Sequence, residues 1–389
     1  MNGGNFGGHL LFFLFEAASA QHLQYYLSMK ILHVETGRHL YGGPQQVIYL
    51  MTALREHGHD GTLVCPPGSG IDTAAREQGI PVRGLFCAGD LDLPFAYRLA
   101  QYIGDSKPDI VHCHSRRGAD MLGGLAASFA DVPAVVSRRV DNTEMRLIAA
   151  LRYRPFKKVI AISDAIGEVL RDRGVEDERI EVIRSAVDAD RFANKPDCTG
   201  FRQEFGLPDD ALVIAAAGQL IPRKGHRYLL EVVAKLRQSQ PSLRLIIFGE
   251  GYLGNQLRAQ TETLGIEDVV TFAGFREDLD DFMSCFDLFV HPALAEGLGV
   301  ATLKAQAAGV AVIGFAAGGL PEAVEHEKTG LLVPPEDVAA LQTAIRTLIE
   351  DDELRGRYGD AGQKRMQNEF SIATMAARHV ELYESILDG

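Results

Sequence analysis

The sequence is short of three things, and each shortage argues against a class of function. Cysteine is sparse: Cys65, Cys87, Cys113, Cys198 and Cys285 are scattered among 389 residues, odd in number and without a C-x-x-C. That argues against a metal or redox role and reads as a reduced, cytoplasmic chain whose cysteines are small buried residues beside strands. Positive charge is in deficit, with 39 Lys and Arg against 52 Asp and Glu, a formal net charge of -13. General nucleic-acid binding is therefore not expected. Long apolar runs are missing too. Leu10 to Phe15 is too short to span a bilayer and is cut off by Glu16, and no Lys or Arg precedes it. Ala17-Ala18-Ser19-Ala20 resembles a signal-peptidase site, so a weak signal peptide is the alternative reading of residues 1–28. The preferred reading is an upstream extension, disordered or from a misassigned start, ahead of a first strand at Met29-Lys30-Ile31-Leu32-His33-Val34.

What is present is a globular composition, 46% apolar and 23% charged, in a length that suggests two domains. Short apolar runs at Lys30–Val34, Thr62–Cys65, Asp109–Cys113, Ala134–Ser137, Lys158–Ile162 and Ile180–Ile183 alternate with helical stretches near Pro44–His57, Phe95–Ile103, Arg117–Phe129 and Asp164–Arg173. Periodicity lapses from Asp188 to Pro208, which places a linker there. A second series follows, with strands at Leu212–Ala217, Leu243–Phe248, Val269–Phe272, Asp287–Val290, Val310–Gly314 and Gly330–Val333. Continuous apolar strands separated by helices mean parallel sheets covered on both faces. The fold class is α/β, with two tandem doubly wound Rossmann-like domains, residues 29–195 and 205–371, facing a cleft. Ligands of such sheets bind at the carboxyl ends of the strands.

Several turns along that edge carry chemistry. His291-Pro292 ends a strand, and Glu296-Gly297-Leu298-Gly299 opens a helix through Val300 and Leu303. Glycines there admit a ligand, helix-start N–H groups favour an anion, and the carboxylate can bond hydroxyls. Gly42-Gly43-Pro44 is a similar turn after the first strand, and Gly318-Gly319-Leu320-Pro321-Glu322 another in the second domain. Arg223-Lys224 after a strand can neutralise a diphosphate. In His112-Cys113-His114 the two histidines are not expected to reach one ligand, which argues against a metal pair; His114, at the strand end, is the substrate-contact candidate. A basic cluster (Arg138, Arg139, Arg146, Arg152, Arg154, Lys157, Lys158, with Arg116 and Arg117 before it) reads either as a solvated helix face or as a site for an anionic acceptor or lipid. Gly249-Glu250-Gly251-Tyr252-Leu253-Gly254 fits the dinucleotide pattern, but no acid closes the next strand, which argues against NAD.

These residues together resemble the family 4 glycosyltransferases, retaining enzymes of the GT-B fold. The resemblance rests on Gly218-Gln219-Leu220 with Arg223-Lys224-Gly225, Phe248-Gly249-Glu250-Gly251, Phe272-Ala273-Gly274-Phe275, His291-Pro292 with Glu296 to Gly299, Gly318 to Glu322, and, in the first half, Gly42-Gly43 and Asp109 to His114. It implies a nucleotide-diphosphate sugar donor, bound through Gly43, Arg223, Lys224, Gly249, Phe275, Glu296, Gly297, Leu298, Gly299 and Lys304, with His114 and Glu296 at the reacting centre. Arg116, Arg138 and Arg139 are the acceptor-side candidates. No metal or other cofactor is implied, because cations neutralise the leaving diphosphate. The last helix, within 372–389, would return to the first domain. Expected partners are the donor sugar nucleotide and an anionic glycan or lipid-linked acceptor, in lipopolysaccharide or surface polysaccharide synthesis, with peripheral contact to the cytoplasmic face of the inner membrane. Two positions depart from the pattern: Lys304 stands where a glutamate is usual, and Ser185-Ala186 where Asn-Gly is usual. An inactive sugar-nucleotide-binding protein and a nucleotide-sugar epimerase are the alternative functions.

Overall fold

A computed structural model describes residues 28–114, 118–141, 144–194 and 196–389. The reading of residues 1–28 as an extension falls almost wholly outside them. The first domain carries seven parallel strands: β1 (Lys30–Val34), β2 (Asp60–Cys65), β3 (Val82–Gly84), β4 (Ile110–Cys113), β5 (Ala134–Arg138), β6 (Lys158–Ala161) and β7 (Ile180–Val182). Their order is β3-β2-β1-β4-β5-β6-β7. The second domain has six: β8 (Leu212–Ala217), β9 (Leu243–Phe248), β10 (Val270–Gly274), β11 (Leu288–His291), β12 (Val312–Phe315) and β13 (Gly330–Val333), ordered β10-β9-β8-β11-β12-β13. Both orders reverse at the middle of the sheet, where α/β proteins open a crevice at the carboxyl edge.

The central strands are uniformly apolar because helices cover both faces. Val213 to Ala216 and Leu288 to Val290 are almost wholly buried. The short β3 and the helices Gly70–Glu77 and Arg146–Tyr153 do not stand out in the sequence. The expected helix Arg117–Phe129 begins instead as a π-helical turn, Ala119–Gly123, before the α-helix Gly124–Phe129.

The linker differs from the sequence reading. Asp188 to Pro208 is not a bare connection: it holds a 3₁₀ turn, Asp190–Phe192, and a short helix, Thr199–Glu204. Phe201 is buried and packs with Phe205, Phe282 and Phe286 of the second domain. A Cys198–Cys285 disulfide fastens the same segment there. The reading of all five cysteines as reduced, buried thiols therefore holds for Cys65, Cys87 and Cys113 and fails for this pair, which the fold brings together across 87 residues.

The final helix, Ile372–Leu387, lies on the helix Gly42–Glu56, and its Met375, Ala376, Leu382 and Tyr383 share a core with Ile31, Leu50 and Leu54. Val187 pairs with Ser371 where the chain re-enters the first domain. Phe201→Ala removes the aromatic centre of the linker's packing. It should lower stability by about 3–5 kcal/mol, read as a fall in the urea midpoint with an unchanged slope.

Candidate functional site

The two carboxyl edges meet. The first-domain turn after β1 touches the second-domain turn after β11: a side chain at Gly42 would lie 3.7 Å from Val300. Ser163 Oγ, after β6, donates to the Gly297 carbonyl at 2.6 Å. The helices Gly42–Glu56 and Val300–Ala307 thus begin against the same space, and no side chain caps either start. Their first N–H groups have no partner within the helix, which makes the space between them attractive to anions.

Glu296 lies between those helix starts, nearly buried. Its carboxylate accepts from His291 Nε2 at 2.8 Å, pairs with Lys224 Nζ, and accepts from the Gly297 N–H at 3.1 Å. Burial pushes this carboxyl up, but the His291 hydrogen bond and the Lys224 charge outweigh it and hold it well below the usual range. It is therefore a fixed anion. Arg223 reaches across the cleft instead and pairs with Asp141 at 2.6 Å.

The glycine turns are packed on one another. Gly249 adopts φ 125°, and a side chain there would strike the Gly218 carbonyl at 2.1 Å. At Gly318, φ is 55° and the obstruction is the Glu296 carbonyl at 2.2 Å. These glycines bring backbone to backbone and so set the shape of the rim. Leu298 is buried and can offer a ligand only its backbone. Phe275, 51% exposed, stands at the end of β10 edge-on to Tyr41 across the cleft, with ring centroids 6.1 Å apart. Tyr41 was not singled out in the sequence; its place directly before Gly42-Gly43 was the available signal.

At the floor of the first-domain side lies a buried histidine cluster. His114 shares a 2.9 Å hydrogen bond with His33, through His33 Nδ1 and His114 Nε2. His112 bonds the Tyr383 hydroxyl at 2.6 Å and Ser137 at 2.8 Å. The expectation that the two rings part fails here: residues two apart along an extended chain share a face, and the His114 ring lies 3.7 Å from that of His112, centroid to centroid. His33, His112 and His114 each place a nitrogen within 4.8 Å of the others, a spacing that could hold a metal ion. Against that use, His112 has both nitrogens engaged by hydroxyls, and burial first, with the Arg139 guanidinium adding to it, opposes positive charge on both His112 and His114. His114 Nδ1 is buried without a partner. His33 was missed, although a histidine opposite His112 in two adjacent apolar strands was a readable signal.

The arginines divide. Arg138 is buried, donates to the Val140 carbonyl at 2.8 Å, and bonds Glu144 and Tyr153. Arg152 pairs with Asp120 and Glu144. These form an internal network, so Arg138 is not free to meet an acceptor. Arg139 reaches the cleft, its Cδ 3.4 Å from where a Gly43 side chain would begin, and burial lowers its pKa to about 10. Arg116 lies outside the described residues. Lys304 faces an acid rather than open space: its Nζ contacts both Asp280 oxygens at 2.8 Å, and Arg191 holds Asp280 at 3.3 Å and Asp281 at 2.7 Å.

Comparison with known proteins accounts for most of the chain. Residues 41–191 match the family model described as Glycosyltransferase Family 4, and residues 199–365 that described as Glycosyl transferases group 1. A D-inositol 3-phosphate glycosyltransferase of Streptomyces scabiei is 30% identical over 286 residues, 70% of this chain. The chain spans only 62% of that relative's length, and 60% of its Streptomyces avermitilis counterpart's. A lipopolysaccharide core biosynthesis glycosyltransferase of Rhizobium meliloti, LpsE, is 26% identical over 92% of this chain and 99% of its own. The crystal structure of Anabaena HepE in complex with UDP and glucose superposes with a TM-score of 0.81 over 92% of this chain and all of that one, at 24% identity. That likeness establishes the GT-B fold.

The histidines set a pH dependence. Burial lowers His33 to about 3 and both His226 and His379 to about 4, from an ordinary 6.5. Between the ordinary and the lowered values the unfolded chain binds more protons than the folded one, so stability falls as pH falls. The slope approaches roughly 1.4 kcal/mol per pH unit for each such site. Urea unfolding at a series of pH values from about 7 to about 5 should show it, and His226→Gln should make the slope shallower.

Proposed function

The chain belongs to the family 4 glycosyltransferases, and from that premise we propose that it is a retaining glycosyltransferase moving a sugar from a nucleotide-diphosphate sugar to a glycan or lipid-linked acceptor of lipopolysaccharide or another surface polysaccharide. One observation carries the reading: two uncapped helix starts face each other, with Lys224, Arg223 and Arg139 around them and the fixed anion Glu296 between. A diphosphate needs the first set and a sugar's hydroxyls the last. The UDP and glucose of HepE, and the lipopolysaccharide core role of LpsE, support the donor and acceptor classes.

The mechanism follows from charge separation. Breaking the anomeric bond leaves negative charge on the diphosphate and positive charge on the sugar. The helix starts stabilise the first from fixed positions, and Arg223 and Lys224 join them by exchanging their carboxylate partners Asp141 and Glu296 for the diphosphate. Glu296 orients the sugar, and Phe275 with Tyr41 offers aromatic faces for the base. His114 Nδ1, buried and unpartnered, is the group left to bond substrate near the reacting carbon. The acceptor attacks on the face the diphosphate leaves, and a departing phosphate oxygen takes the acceptor's proton, so no protein nucleophile is required.

A second reading, a sugar-nucleotide-binding protein without turnover, draws on Lys304, whose ammonium is tied to Asp280 where a ribose-binding carboxylate is usual. Transfer and hydrolysis assays across UDP-, GDP- and ADP-sugars separate the two. Arg223→Ala or Lys224→Ala should reduce turnover on the order of 10²-fold; undiminished turnover would remove the diphosphate assignment. Asp141→Asn should have the opposite effect on binding. It releases Arg223 from a half-exposed pair worth about 1 kcal/mol or less, so nucleoside diphosphate should bind up to roughly fivefold tighter by calorimetry.

A further inference from the structure

Tyr383 stands where a hydroxyl is costly. Its ring is wholly buried in the apolar core that the returning helix Ile372–Leu387 shares with Ile31 and Leu50. A phenol in such a place must spend its hydroxyl on a partner. The one hydrogen-bond partner it has among the described residues is His112 Nδ1, at 2.6 Å. Burial raises the Tyr383 pKa well above its ordinary value and lowers that of His112 well below its own. The contact therefore joins a neutral phenol to a neutral imidazole.

His112 is held from its other edge as well. It lies on β4 opposite His33 of β1, and its Nε2 bonds Ser137 Oγ of β5 at 2.8 Å. The hydrogens of this chain of bonds can be assigned. A wholly buried O–H with no second acceptor donates to Nδ1, and the phenol is the stronger acid of the two hydroxyls. Neutral His112 then carries its single hydrogen on Nε2 and donates it to Ser137. Tyr383 thus fixes both the orientation and the tautomer of the His112 ring.

His114 rests on that ring. The two centroids are 3.7 Å apart, so His112 supports one face of the His114 imidazole. His33 holds its edge through the 2.9 Å bond to Nε2. A turn of the His114 ring would break that bond or lift the ring from His112. The position of the unpartnered His114 Nδ1 is set by these two contacts. Polar networks in a buried site rigidify when their members are satisfied and loosen when one is removed. The same helix brings a second polar side chain to this layer, but His379 Nδ1 donates to its own Met375 carbonyl at 2.8 Å, and its ring stands 5.5 Å from that of His112. The hydroxyl of Tyr383 is the group of the helix that acts on His112.

We propose that Tyr383 is a positioning residue for His114, acting through His112, so that the last helix builds the floor of the cleft as well as completing the first domain's core. Its importance for turnover rests on the glycosyltransferase reading; the placement it imposes on the His114 ring does not.

Tyr383→Phe tests it in the full chain, because the ring stays in the core and only the hydroxyl is lost. Leu382→Ala is the control, since it opens the same core without removing a hydrogen bond. In proton–nitrogen correlation spectra of the histidine-labelled chain, His112 should show the Nε2–H tautomer, its signals identified by their loss in His112→Gln. Tyr383→Phe should shift the ring resonances of both His112 and His114, and Leu382→Ala neither. Kinetics use whichever of UDP-, GDP- and ADP-glucose the unaltered chain turns over. Tyr383→Phe should lower kcat on the order of tenfold with KM for the sugar nucleotide unchanged. Leu382→Ala should lower the urea midpoint and leave kcat as it is. His114 resonances that stay in place in Tyr383→Phe overturn the proposal, as does a kcat that this change leaves intact or that Leu382→Ala lowers equally. A chain that turns over none of the three sugar nucleotides counts against the glycosyltransferase reading, and the spectra still decide the role of Tyr383.

Discussion

The cleft depends on one buried carboxylate kept charged. Glu296 sits where a lone anion would be costly, and Lys224 with His291 makes it tolerable. Each partner comes from a different element: Lys224 from the turn after β8, His291 from the last residue of β11. The backbone at Glu296 is held as well, its carbonyl accepting from the Gly319 N–H at 2.9 Å. The next residue is bonded from the first domain through Ser163. Three turns of the second domain and one of the first thus converge on two residues. Glu322 extends the junction by accepting the Asp164 and Ala165 N–H groups, a helix cap supplied across the interface. Domain closure and the geometry of the anion space are in this sense one arrangement.

Three cations of the cleft are paired within the chain. Arg223 rests on Asp141, Lys224 on Glu296, and Lys304 on Asp280. Carboxylates of the chain thereby occupy cations that, under the proposed function, a donor diphosphate meets. Binding then becomes an exchange of one anion for another, which limits the gain from charge alone. Selectivity is left to features carboxylates lack: the helix-start N–H groups that meet a phosphate, and the aromatic pair Phe275 and Tyr41.

Strands and turns were legible because their signals are local. Apolar runs, the glycines after strands and the Arg223-Lys224 pair each follow from a few consecutive residues. What was hidden depends on contacts between distant segments. Nothing near Cys198 points to Cys285, nor near Arg138 to burial with Glu144 and Tyr153. The basic cluster shows why counting charges is insufficient. Of its members, Arg138 and Arg152 are internal, Arg139 faces the cleft, and Arg146 and Arg154 are exposed. The register of the Arg146–Tyr153 helix, fixed by Asp120 and Glu144, sorts Arg152 from Arg146, and the end of β5 sorts Arg138 from Arg139. The expectation for His112 and His114 failed for a narrower reason: side chains two residues apart along an extended chain share a face, so the two rings lie together.

Lys304 is best understood through the same long-range logic. Read along the chain, it is an acid lost from a donor site. In space, a carboxylate is still there, carried by Asp280 on the neighbouring short helix Leu279–Phe282 and touching the Lys304 ammonium through both oxygens. Arg191 closes the group from the first domain with Asp280 and Asp281. A glutamate at 304 would set a third negative charge beside those two with one arginine to balance them, so the lysine and the aspartate belong together as a pair. Asp280 retains the lone pairs that hydroxyls require, which an ammonium lacks. Under the proposed function, a ribose hydroxyl at this place would meet the Asp280 carboxylate beside the Lys304 ammonium.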